Sequence, residues 1–285
     1  MNKRNLIYIS ISIICVIAIF VAVYYQIFLS NERQTVQNTY NEVGQQVEEK
    51  EETIDLEKVK EEFNALFTNK FNTQGYDTSS IKKIKELQAE DVVYMAYDFT
   101  KEEPGKYDVS IRIPIFNIDG EVAKQVNNST QSVFANKAND IFANPGVYTI
   151  YNIDFTAYLN DNILSLVIRA TLKEGNNAQR LIIQTHNYDI KTGRLITLNE
   201  LLTQKGIAYK DVNSKIEKYI NEANKQASAV SMALTGQNVY TRDINNAMYV
   251  TDNSTYFFMG PNGDIYILYP YGNSNYTSEI DIVKI

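Results

Sequence analysis

Asn187-Tyr-Asp-Ile-Lys-Thr-Gly-Arg-Leu-Ile-Thr-Leu-Asn-Glu-Leu-Leu202 is the stretch whose reading decides the fold. It predicts the end of a strand, a tight turn, a short extended piece and a capped helix. Asp189 can accept hydrogen bonds from the backbone of the turn, and Gly193 supplies the positive φ of a bulged hairpin. Thr197 and Glu200 stand three apart, the spacing of a capping box, and start a helix carrying Leu198, Leu201 and Leu202. The chemistry of Asp189, Gly193, Thr197 and Glu200 is thereby assigned to folding.

Upstream, three extended runs lead into this turn: Val147 to Leu159, Ile163 to Leu172, and Ala178 to Ile190. Asn160-Asp-Asn and Glu174-Gly-Asn-Asn separate them, so they predict an antiparallel meander. Before the meander, Asp91 to Thr100 predicts a strand, and Glu102-Glu-Pro-Gly a turn. Tyr107, Val109, Ile111, Ile113 and Ile115 then alternate on one face of a second strand. Pro114 cannot donate to a ladder, so that strand lies at an edge or ends there. After Asp119-Gly120, Val122, Val126, Val133, Phe134 and Ile141 mark a helix of some twenty residues. Earlier still, Leu56, Val59, Phe63, Leu66 and Phe67 form the apolar face of a helix to about Lys70, capped by Asp55 or Thr53.

Downstream, Tyr209, Val212, Ile216 and Ile220 predict a helix over 207–223. Short strands follow around Met248-Tyr-Val, Tyr256 to Met259, Asp264 to Tyr269, and Glu279 to Ile285, with a turn at Pro261-Asn-Gly. Strands and helices grouped rather than alternating predict the α+β class. The expected architecture is an antiparallel sheet of meander plus C-terminal strands, packed with helices and preceded by one transmembrane helix.

That helix is Leu6 to Leu29, an almost unbroken apolar run. At ~1.5 Å per residue it reaches roughly 36 Å, enough to cross a ~30 Å hydrocarbon core. Lys3 and Arg4 precede it and Glu32 follows, which places residues 1–5 in the cytoplasm. The run exceeds the ~7–15 residues of a cleaved signal peptide and has no small-x-small site, so it predicts an uncleaved signal anchor over 6–29. Residues 30–54 form an acidic polar stalk, and 55–285 an extracytoplasmic domain on a bacterial cell membrane. Cys15, the one cysteine, falls inside the apolar run, where Ile14 before it argues against lipidation.

The net charge is −7 over 285 residues, and −6 of it falls between Glu32 and Glu62. The remainder is close to neutral, with no stripe for phosphate, which excludes nucleic acid as a partner. Twenty-one tyrosines without a tryptophan, with frequent Asn, Ile and Lys, match the codon bias of an AT-rich bacterial genome. One histidine and one cysteine exclude most metal and nucleophile constellations, so no catalytic, cofactor or metal residue is assigned. His186 is expected as a half-exposed strand residue sharing a face with Ile182 and Gln184, and Ser165 as a strand residue. Asp154, Asp161, Asp189 and Glu200 are the carboxylates that glycoside chemistry would need. Each has a more local role at a turn or cap.

Asp189-Ile-Lys-Thr-Gly-Arg followed by Thr197-Leu-Asn-Glu-Leu-Leu resembles a bacterial domain of unknown function. That domain is the extracytoplasmic part of the lysozyme-responsive anti-sigma-V factor (RsiV) and the N-terminal region of the polysaccharide deacetylase PdaC. Its members carry Asp-x-x-Thr-Gly-Lys and Thr-Leu-x-Asp-Leu-Phe after a meander whose middle strand reads like Ile163-Leu-Ser-Leu-Val. Ile111-Arg-Ile-Pro-Ile-Phe through Val126-Asn-Asn-Ser-Thr resembles its upstream region, so the resemblance covers 105–285. It implies a sensor-like domain for a cell-envelope ligand, either peptidoglycan or a lysozyme-like protein. Five cytoplasmic residues are too few to hold a sigma factor, so no sigma-factor binding is expected. The deacetylase's metal-binding catalytic domain has no counterpart either.

The family's loop before the last strand reads Tyr-Glu-x-x-Pro; here it is Tyr269-Pro-Tyr-Gly-Asn-Ser-Asn-Tyr-Thr-Ser, shorter and without the glutamate. Tyr269, Pro270, Tyr271, Asn273 and Tyr276 of this loop are the candidate ligand-binding residues. In the competing reading Tyr266 and Tyr269 pack inside, leaving only Tyr271 and Tyr276 outside. The function expected from the sequence is non-catalytic binding. The alternatives are a carboxylate-dependent glycan-active enzyme and a structural partner of another membrane protein.

Overall fold

The computed structural model describes residues 54–233, 240–273 and 276–285. The expected cytoplasmic end, membrane anchor and stalk up to Thr53 lie outside them. Among the described residues no helix is long and apolar enough to cross a membrane.

The meander forms as its turn residues predict. Strands β4 (Thr149–Asn160), β5 (Ile163–Glu174) and β6 (Arg180–Asp189) pair antiparallel in unbroken register. They lie in a seven-stranded sheet with β1 (Phe71–Asn72), β2 (Val93–Glu103), β3 (Tyr107–Phe116) and β7 (Arg194–Leu195). The strand order is β2-β3-β4-β5-β6-β7, with β1 also beside β4. This sheet is mixed, which corrects the wholly antiparallel expectation: β3 and β1 both run parallel to β4. The cause is the connection after β3. It carries a helix back along the sheet, and a strand that returns after such a crossover runs parallel to the one it left.

β3 and β1 share one edge of β4. β3 holds Thr149–Asn152 through Tyr107–Ser110, and β1 holds Ala157 and Tyr158. Beyond Ser110, β3 pairs only with β2, so Pro114 sits where one side of its strand has no ladder to supply, opposite the bulge between Met95 and Tyr97.

The crossover helix is α2 (Glu121–Thr130), a π-turn over Gln131–Ala135, and α3 (Asn136–Ala143). Ala123, Val126, Phe134, Ala138 and Ile141 face the sheet and pack on Ile111, Ile153, Phe155, Leu166 and Ile168. Val133 lies on the outer side.

The C-terminal strands do not join this sheet, a second correction. β8 (Phe257–Met259), β9 (Ile265–Asn273) and β10 (Tyr276–Lys284) form their own antiparallel sheet. Met248 and Tyr249, expected as strand, fall in a 3₁₀ turn over Ala247–Tyr249, in which the Asn246 side chain accepts from the Met248 N–H. One face of the small sheet packs on the large one through Phe258, Tyr266, Leu268 and Ile282 against Tyr158, Val167 and Ile183. Its other face, through Phe257, Ile265, Ile267 and Tyr269, meets α4 (Leu198–Lys205) and α5 (Tyr209–Ala233). α1 (Leu56–Ala65), capped by Asp55, puts Phe63 into the seam between the sheets.

The opening stretch joins these layers. Asp189 accepts from the N–H groups of Lys191 and Thr192, at 2.9 and 3.3 Å, and Gly193 adopts φ 69°. Thr197 and Glu200 close the reciprocal capping box. Asn187 does more than end a strand. Its Oδ1 accepts from Ser165 Oγ at 2.7 Å, its Nδ2 donates to the Phe257 carbonyl at 2.7 Å, and the Met259 N–H donates to Ser165 Oγ at 3.2 Å. These side chains satisfy the outer edge of β8, which would otherwise be buried without partners.

Asn187→Ala should leave the Phe257 carbonyl and the Ser165 hydroxyl proton without partners inside the protein and cost about 2–4 kcal/mol. Thr197→Ala, at an exposed cap, should cost about 1 kcal/mol. Urea unfolding of both variants would check the ranking; an Asn187 variant no less stable than the Thr197 variant would contradict it.

Candidate binding groove

The small sheet covers only part of the face it packs on. Where it ends, that face of β3, β4 and β5 changes from apolar to polar. Ser110 lies opposite Asn152, Asn152 opposite Thr171, and Asp154 opposite Arg169. Arg112 adds a second guanidinium beside them. α1 walls this surface with Lys60, Phe63 and Asn64, and β10 with Ser278 and Glu279. The result is an open cavity of about 460 Å³, within the ~300–1,000 Å³ of small-ligand sites.

Its charges are unevenly matched. Lys60 and Glu279 pair at 3.0 Å. Arg112 donates to Ser110 Oγ at 2.6 Å and lies 3.8 Å from both Asp98 and Asp154. Asp154 also accepts from Asn69 Nδ2 at 3.1 Å. Arg169 donates to Asn64 Oδ1 at 2.5 Å, and its guanidinium carbon lies over the Phe67 ring, 3.8 Å from the ring centre. Among the described residues no carboxylate comes within ion-pair distance of it. Burial pushes its pKa below the ordinary arginine value, with Asp154 acting weakly in the other direction.

Of the four carboxylates singled out in the sequence, Asp154 alone faces this groove. Asp161 is held below the usual carboxylate range by the Tyr76 hydroxyl, at 2.6 Å, and by Lys205, at 2.9 Å. Burial works against the Asp189 charge, but hydrogen bonds from Asn162, Lys191 and Thr192 outweigh it and lower its pKa. Glu200 is lowered by the Thr197 N–H first and then by Arg194. These three carboxylates stay apart, each engaged at its own turn or cap. Ser165 is buried in the Asn187 network.

The tyrosine residues of the expected loop are placed differently from the sequence reading. Residues 269–273 and 276–278 continue the β9–β10 hairpin, with Asn273 opposite Tyr276 in the ladder. Tyr269 is 2% exposed, its hydroxyl 2.9 Å from that of Ser254, and burial pushes its pKa up to about 12. Tyr269 is therefore a core residue, as in the competing reading. Pro270 follows it, half-buried, and pairs with Ile280. Tyr271 is half-buried, stacked on Tyr240 at 4.8 Å, with the Arg242 guanidinium 4.4 Å from its ring. Arg242 in turn makes two 2.9 Å bonds to the buried Asp281. These contacts use the aromatic surface that a ligand would need.

Sequence reasoning missed Arg112, Arg169, Asn152 and Thr171. One signal was available: Arg169 is the one charged residue in the apolar run Ile163 to Leu172, and two residues later Thr171 shares its face.

No family model matches the chain, and no curated protein does. Among solved structures, a DUF3298 family protein from Pseudomonas aeruginosa PAO1 is similar at 12% identity and a TM-score of 0.36, over 67% of this chain and 89% of that one. A DUF3298 family member from Bacteroides fragilis NCTC 9343 is similar at 12% identity and a TM-score of 0.26, over 63% of this chain and 80% of that one. Neither name states an activity, a ligand or a partner.

His186 is a half-buried strand residue of β6, as expected. Its ring meets Phe116 edge-on at 6.5 Å, and its Nε2 is buried with no hydrogen-bond partner among the described residues. Burial lowers its pKa to about 4, below the 6.5 of an unperturbed histidine. Above pH ~6.5 both folded and unfolded forms are neutral and the group has no effect. Between ~6.5 and 4 only the unfolded chain takes up the proton, so stability falls as the pH falls, by about 3 kcal/mol in total. His186→Phe should flatten the stability profile across this window. Equal acid sensitivity of variant and parent, followed by thermal melting, would contradict the buried neutral histidine.

Proposed function

We propose that this domain binds a cell-envelope glycan, of the peptidoglycan kind, without chemical turnover, and presents it from a membrane anchor outside the cell. The observation that carries the reading is the polar surface across β3, β4 and β5, sunk between α1 and β10. Asn152 and Thr171 make no side-chain hydrogen bond among the described residues, so their donors and acceptors stand ready for sugar hydroxyl and acetamido groups. The anchor and orientation follow from the apolar run 6–29 and its flanking charges.

Binding is favoured over glycan hydrolysis by the state of the groove's carboxylates. Asp154 is held by Asn69 and lies near Arg112, and Glu279 is paired with Lys60, so both are already engaged by the groove's own side chains. A lysozyme-like protein as ligand finds less support, since Tyr269 is buried and Tyr271 is stacked on Tyr240.

Residues 54–285 form a compact unit with its own cores and can be tested as a soluble fragment. Incubated with insoluble peptidoglycan, the fragment should sediment with the pellet, and immobilised lysozyme should retain much less of it. Fragment left in the supernatant at every peptidoglycan concentration would sink the proposal.

A further inference from the structure

We infer that the groove is built for a ligand carrying a single carboxylate, a sugar acid, with Arg169 as its principal anchor and Arg112 beside it. This deepens the binding reading above and rests on it.

Three cations and two carboxylates line the groove: Lys60, Arg112 and Arg169 against Asp154 and Glu279. Lys60 and Glu279 satisfy each other, and Arg112 stands near Asp154. Arg169 is left over. Its side chain is half-buried, stacked on Phe67 and hydrogen-bonded to a neutral amide, Asn64. A guanidinium has five N–H donors in a planar fork, and a charge removed from water without a counter-ion is costly. Stacking on Phe67 and the bond to Asn64 fix the plane of this fork, leaving donor positions for a carboxylate to meet bidentately.

The same lining selects the size of the charge. A dianion such as a phosphate monoester would enter a groove that already holds Asp154 and Glu279, and would be repelled by both. A monoanion balances the one surplus positive charge. The neighbouring groups are neutral: Asn152 and Thr171 lie across β4 and β5 from each other, two residue pairs along from the Asp154–Arg169 pair and on the same face. Their spacing suits a ring whose carboxylate sits on Arg169 and whose hydroxyl or amide substituents sit on them. Free sugar acids of this kind arise from peptide-free wall glycan, with an acetamido group, or from uronic acid polymers, without one.

The test uses the full chain in mild detergent and isothermal titration. The probes are the N-acetylglucosamine–N-acetylmuramic acid disaccharide and the methyl glycoside of galacturonic acid, each a monoanion set beside its carboxyl-reduced alcohol. At least one acid should bind about tenfold or more tightly than its reduced form, and the acid that does so identifies the source. Arg169→Gln should abolish that preference, so that acid and reduced sugar bind with equal affinity, and Arg169→Lys should retain part of it. Arg112→Gln, whose contacts are to β2, β3 and β4 rather than to α1, should also lower the preference if the variant at Arg169 loosens α1. Equal affinity for acid and alcohol overturns the carboxylate assignment while glycan binding stands. No binding of any probe by a chain that still sediments with peptidoglycan also overturns it. Loss of both sedimentation and titration removes the binding reading itself.

Discussion

The outer edge of β8 has to be satisfied inside the protein, and much of the architecture depends on how this is done. A three-residue strand presents the Phe257 carbonyl and the Met259 N–H to the large sheet, where water does not reach. Ser165 and Asn187, on adjacent strands and directly opposite each other, supply the missing partners. Asn160 adds a 3.0 Å bond to the Gly260 carbonyl. Polar side chains thus fix the register of one sheet on the other, and the apolar seam of Val167, Ile183, Phe258 and Leu268 closes around them. Apolar packing alone would be less particular about register, because it lacks direction.

The groove follows from that docking. The small sheet is held at the end of β5 and β6 nearest the turn, through Ser165 and Asn187. It therefore leaves the opposite end of the same face, around Arg169 and Thr171, to α1 and the first residues of β10. Apolar side chains there would form an exposed patch, and the sequence places Ser110, Arg112, Asn152, Asp154, Arg169 and Thr171 instead. One structural decision, where the second sheet sits, both buries the seam and opens the polar surface beside it.

Local features were legible in the sequence because their causes are local. The Asp189–Gly193 turn, the Thr197–Glu200 box, the Asp55 cap and the three meander strands each depend on residues a few positions apart. The parallel pairing of β3 with β4 was not legible, because it depends on where the crossover helix from Glu121 to Ala143 lands. β1 is two residues long and has no periodicity to read. The separate C-terminal sheet was missed because alternation identifies a strand without naming its neighbour. The candidate site suffered most. Tyr269 and Tyr271 attracted attention as aromatic residues in a polar loop, yet one is core and the other is held by Tyr240 and Arg242. The groove residues come from α1, β3, β4, β5 and β10, and only the sheet register and the docking of α1 bring them together.

The central claim is that ligand binding belongs to the groove and not to the tyrosine hairpin. The most direct measurement is a nuclear magnetic resonance titration of the 54–285 fragment that follows arginine guanidinium and backbone amide signals as soluble wall disaccharide is added. The account predicts shifts concentrated at Arg169, Arg112, Asn152 and Thr171, with the Arg242 signal unmoved. Shifts centred on Tyr271 and Arg242, with Arg169 silent, would contradict it.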